Sequence, residues 1–97
     1  MARTVVREMK KALQVGAEER ASPEARLQAQ QAALALLARS VRMRHRRLAV
    51  HRLSAAVSMG LPVPDEYWRH CRDAAEESKS RQVQEMFLAS ARLALHA

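Results

Sequence analysis

Between Ser22 and Gly60, apolar residues return every seven positions on two separate tracks. Leu27, Leu34, Val41, Leu48 and Ala55 form the first, joined by Leu37 and Met59. Leu36, Met43, Val50 and Val57 form the second, with Leu53 beside it. At about 100° per residue, Leu34 and Leu36 point roughly 200° apart. The pattern predicts a helix with apolar residues on two opposite sides.

The ends of that helix are marked. Ser22 suits an N-cap, Pro23 the first helical position, and Glu24 complements the helix dipole. Gly60 suits a left-handed C′ position, and Pro62 cannot continue the helix. The spacing predicts one helix over 23–59, roughly 55 Å long at the standard rise. Propensity alone cannot hold such a rod; it needs a partner along its length. A hairpin neighbour covers one side. The other calls for the N-terminal helix, a second copy of the chain or a different protein. Arg44 and His51 fall on the first track, where a seam wants apolar residues.

Two shorter helices flank the central one. Val5, Val6, Met9, Ala12 and Leu13 predict an amphipathic helix over about 3–19, with Arg7, Lys10, Lys11 and Gln14 outward. After the stiff turn Leu61–Pro64, a third helix is expected over 64–95, opening on Asp65 and Glu66. Trp68, Cys71 and Ala75 begin its inward stripe; Val83, Met86, Phe87, Ser90, Leu93 and Ala94 finish it. The polar run 76–82 leaves room for a kink or a loose turn. No alternating run suggests a strand. The expectation is a single all-α domain over 1–97. A short N-terminal helix precedes a long antiparallel helical hairpin, completed as a bundle by oligomerisation or a partner.

Charge changes this picture. The 97 residues carry a formal net charge of +7. Residues 22–60 hold seven basic and one acidic side chain, whereas residues 61–97 hold five basic and six acidic ones. Arg39, Arg42, Arg44, Arg46 and Arg47 form a basic ridge, which suggests an acidic partner such as nucleic acid. Antiparallel pairing about Pro62 offers an internal alternative. It sets Glu76 and Glu77 opposite Arg46 and Arg47, Asp73 opposite His51 and Arg52, and Glu85 opposite Arg39. Arg42 and Arg44 have no acid opposite. Arg outnumbers Lys fourteen to three, which fits bidentate phosphate pairing; GC-rich codon usage gives the same ratio.

Candidate chemistry is sparse. There is no glycine-rich phosphate loop or nucleophile elbow. His45, His51, His70, Cys71 and His96 lack metal-ligand spacing, so no metal or cofactor is expected. Cys71 reads as a small core residue. The carboxylates of the third helix read as dipole and i,i+4 partners of its arginines, not as an acid–base pair. No small-molecule substrate suggests itself, and the composition points away from an enzyme. Tyr67 and Trp68 are either an interface hot spot or a staple for the hairpin end.

The longest apolar run, 32–38, is too short to span a bilayer. A single cysteine and the lack of a secretory signal suggest an intracellular, cytoplasmic location. The basic amphipathic N-terminus bears a slight likeness to an organellar transit peptide, against which Glu8, Glu18 and Glu19 argue.

The leading functional expectation is a basic helical protein–protein interaction module of adaptor, regulator or inhibitor type. It would self-associate, or dock on a larger protein, through the long helix. Leu34, Leu36, Val41, Met43, Leu48, Val50 and Val57 would supply interface or core. The alternative is a helical-hairpin dimer gripping nucleic-acid phosphates with the Arg39–Arg47 ridge. Lipid binding is a weaker third reading, because the basic face lacks bulky apolar anchors.

Overall fold

The computed structural model describes residues 3–16 and 22–96. Five helices span them: α1 (Arg3–Gly16), α2 (Pro23–Arg42), α3 (Arg46–Ser58), α4 (Asp65–Glu77) and α5 (Arg81–Leu95). Among the described residues there is no strand, and no helix is long and apolar enough to cross a membrane. Residues 17–19, expected to end the first helix, lie outside the described residues.

The expected rod over 23–59 is broken at Met43–His45. The Arg44 amide donates to the Val41 carbonyl at 3.1 Å, and the His45 amide to the Ser40 carbonyl at 2.9 Å. These two bonds form a Schellman motif with Arg44 at C′, at φ 58°. Ser40 is buried, and its hydroxyl donates back to the Leu36 carbonyl at 2.9 Å. That back-bond is a known source of helix bending. No glycine or proline marks the break, so nothing local announced it.

Packing explains why the break is favoured. On a straight helix Ala29 and Met59 would sit about 45 Å apart; here they line one hollow with Arg26 and Gln30. Chain reversal at Arg44 makes α2 and α3 an antiparallel pair. Ala33 and Leu37 of α2 thereby join Ala49, Val50, Leu53, Ala56 and Val57 of α3 in one core. Breaking the rod also relieves like-charge neighbours such as Arg42 and Arg46, which a continuous helix would stack at i,i+4.

The second bend matches its sequence signals. Gly60 stands at φ 75°, its amide donating to the Val57 carbonyl at 2.9 Å while the Leu61 amide reaches Ala56 at 3.2 Å. The Ser22 hydroxyl caps α2 by accepting from the Ala25 amide at 3.1 Å. The polar run 76–82 holds a real interruption at Ser78–Ser80, where Ser80 caps α5 through the Val83 amide. The expected third helix is therefore two.

α3 is the centre of the fold, packing against α2, α4 and α5, whereas α1 packs on α2 alone. α4 runs back along α3; α5 returns parallel to it, with Val83 near Arg46 and Arg47, and Ala94 near Val57 and Gly60. Of the three covers weighed for the long helix, α1 supplies one along α2. The second apolar track holds the core at Leu36, Val50, Leu53 and Val57, while Leu34, Val41 and Ala55 of the first are half-buried.

The left-handed Arg44 invites a direct test. A side chain at this φ is unfavourable relative to glycine by about 1 kcal/mol. Arg44→Gly is expected to raise stability by up to that amount in urea melts. A loss of 1 kcal/mol or more would show that the Arg44 side chain stabilises the fold.

Candidate interaction surfaces

The break at Met43–His45 gathers basic side chains at one end of the molecule. Arg39 is half-buried; Arg42, Arg44, His45, Arg46 and Arg47 are exposed. Two segments meet there. Arg46 and Arg47 line a shallow hollow with Ala74, Glu77, Ser78 and Val83. Lys79 and Arg81, both exposed, flank that hollow on the α4–α5 connection. Reasoning on the ridge alone missed these two. The antiparallel numbering held the signal, since it places Lys79 opposite His45.

The internal charge zipper shrinks to one rung. Arg46 pairs with Glu77 as expected. Asp73 instead meets Arg72 at 3.5 Å, and Glu85 meets Arg81 at 3.1 Å. Arg39, Arg42, Arg44 and Arg47 have no carboxylate partner among the described residues. The expected pairs of His51 and Arg52 with Asp73, and of Arg39 with Glu85, do not form. For Arg39 the cause is the break: with α2 turned back on α3, Arg39 is carried away from α5.

α3 begins at this corner with no acidic residue in its first turn and no side-chain cap. Its first amides therefore point at the corner without an internal acceptor. His70 lies beneath, its Nε2 buried without a partner. Burial lowers its pKa, the Arg46 and Arg44 charges lower it further, and Asp73 opposes them. The His70 imidazole thus has its pKa lowered beside a cationic surface.

Cys71, its sequence neighbour, turns the other way. It is fully buried in the core, and burial pushes its thiol up to about 12. His70 and Cys71 do not converge. Among the described residues, no three of His, Cys, Asp and Glu come close enough to hold a metal ion.

A second surface lies along α5 and the α4–α5 groove, next to the corner hollow. Leu88 is 51 % and Leu95 83 % exposed on the outer face of α5. Arg72, Ala75, Glu76, Gln84, Phe87 and Leu88 line a groove of about 290 Å³ between α4 and α5. Leu27, Met43 and Leu48 are further exposed large apolar side chains. The residues expected to serve as interface or core thus divide. Leu36, Val50 and Val57 are internal, Leu34 and Val41 half-buried, and Met43 and Leu48 outside. Trp68 meets Phe87 edge-on at 6.1 Å between ring centroids, inside the α3–α4–α5 end. Its ring is engaged in packing, and Tyr67 beside it is half-buried.

No protein-family model matches this chain, and no curated protein or solved structure matches it either.

Proposed function

We propose that this chain is a small non-enzymatic helical interaction module, of adaptor, regulator or inhibitor type, that self-associates or docks on a larger protein. The surface it leaves uncovered carries the reading. A compact monomer of 10.9 kDa exposes about 5,600 Å². This chain exposes 6940 Å². That difference is spread over the whole chain; among the described residues Leu27, Met43, Leu48, Leu88, Leu93 and Leu95 are exposed large apolar side chains.

The place of docking shifts from the central helix. α3 is enclosed by α2, α4 and α5, and Ala49, Val50 and Leu53 on it are fully buried. The outer face of α5 and the α4–α5 groove are the open apolar surface, rimmed by Arg72, Glu76 and Gln84. An apolar centre with a charged rim is how protein interfaces are built. On a small helical chain such a surface supports binding to another macromolecule.

Sedimentation velocity from low to high micromolar concentration tests self-association. The expected result is a shift from monomer to dimer that Leu88→Glu with Leu95→Glu abolishes, leaving a folded monomer. A single folded monomer of the wild-type chain at every concentration would overturn self-association.

A further inference from the structure

We propose that the corner formed by Arg42, Arg44, Arg47 and Lys79 is a second, separate site that binds the phosphate backbone of duplex nucleic acid. None of these four side chains lines the α4–α5 groove, so the reading does not depend on dimerisation.

The corner is built by the fold. In the sequence the ridge stops at Arg47, and Lys79 lies more than thirty residues away. The α2–α3 break and the α4–α5 interruption bring both segments to one end, around the hollow that Arg46, Arg47 and Ser78 line. Seven cationic side chains from Arg39 to Arg81 occupy this end. Among the described residues only Arg46 and Arg81 of these meet a carboxylate, Glu77 and Glu85. The other five have no ion-pair partner there.

Three features select phosphate. Arginine forks match phosphate oxygens bidentately. The α3 N-terminus adds uncapped amides aimed at the same place, with no side-chain carboxylate in its first turn competing for them. Arg44 stands in the left-handed region at the apex of the turn, and its side chain is exposed beside those amides. Single strands are held by aromatic stacking, and no aromatic residue reaches this corner; Trp68 and Phe87 face each other instead. No recognition helix projects from it, so binding is to the backbone and independent of sequence. An acidic protein partner would need an apolar centre, and the corner offers only Met43 and Leu48.

The test is fluorescence anisotropy with a labelled duplex DNA, a labelled duplex RNA, and phosphatidylserine vesicles, at about 50 and about 200 mM salt. Three proteins are compared with wild type. The corner variant carries Arg42→Gln, Arg47→Gln and Lys79→Gln, all exposed positions. A control of equal charge carries Arg7→Gln, Lys10→Gln and Lys11→Gln on α1. The third, Glu77→Gln, releases Arg46.

Duplex binding should weaken at least about tenfold in the corner variant. Its plot of log affinity against log salt should flatten by roughly 2.7 for DNA, one phosphate contact per lost cation. The α1 control should lose much less, and Glu77→Gln should bind more tightly than wild type. Far-UV melts report folding of each variant. Absence of duplex binding by the wild type at low salt overturns the proposal. So does an equal loss in the α1 control, which would reveal general charge attraction. So does binding to vesicles without binding to duplex.

Discussion

Leu53→Ala is expected to lower stability by about 3 kcal/mol, within the range seen for large-to-small changes in a closed core. A chain of this length holds only ~5–15 kcal/mol in total, so the loss moves the melting midpoint down by roughly 12–24 °C. Leu53 lies on α3, fully buried, in the one cluster that joins α2, α3, α4 and α5. Its side chain is enclosed by helices on three sides, and the backbone cannot collapse into the vacated space without moving all of them. Leu48, five residues earlier on the same helix, is 40 % exposed. Leu48→Ala should therefore cost far less, within about 1 kcal/mol. The pair separates two architectures. In a straight two-sided rod covered on both flanks, Leu48 and Leu53 would matter comparably. Equal losses in thermal or urea melts would refute the folded-back arrangement.

Cys71 should resist alkylation by about a thousandfold relative to the unfolded chain. The thiolate is the reacting species. Raising the thiol from 9.0 to about 12 by burial shrinks the thiolate population at neutral pH about 10³-fold. Burial under α3 and α5 adds a steric block on top. Iodoacetamide labelling followed by mass spectrometry checks this, with urea-unfolded chain as the reference. What little labelling remains reports local opening of α4, and stabilising variants should slow it further. Rapid labelling of a chain that keeps its helical circular dichroism would place Cys71 outside the core. A thiol held this way is a poor nucleophile and a poor metal ligand, as its isolation from His70 already indicates.

Much of the fold could be read from the residues. Helical content followed from composition and periodicity, because those signals depend on neighbours three and four positions apart. The start at Ser22 and the stop at Gly60 were legible because capping chemistry is local, whereas the helix expected from Pro64 begins one residue later, at Asp65, without a side-chain cap. Burial of Cys71 and pairing of Arg46 with Glu77 followed from stripe position and antiparallel numbering. The heptad tracks were misleading in one respect. They resume beyond Arg44 and His51, the two polar residues on the first track, and a non-glycine residue at φ 58° leaves no distinct mark in a pattern of apolar spacing.

The basic site was legible in part for the same reason. Five arginines in nine residues announce charge, but on a straight helix they would wind around the rod. At a corner they converge, and Lys79 and Arg81 arrive from a segment that periodicity alone does not relate to them. The apolar face of α5 went unmarked because Leu88 is a single leucine off the inward stripe. Only the splay between α4 and α5 shows what it borders.

Residue order by itself determined that this chain is helical, basic through its middle and capped at defined points, because each of these rests on short-range geometry. The choice between rod and fold-back belongs to packing. Burying Leu37 against Leu53 requires the chain to reverse between them, and that gain, felt only between residues sixteen positions apart, outweighs the few kcal/mol or less of breaking one helical turn at Arg44.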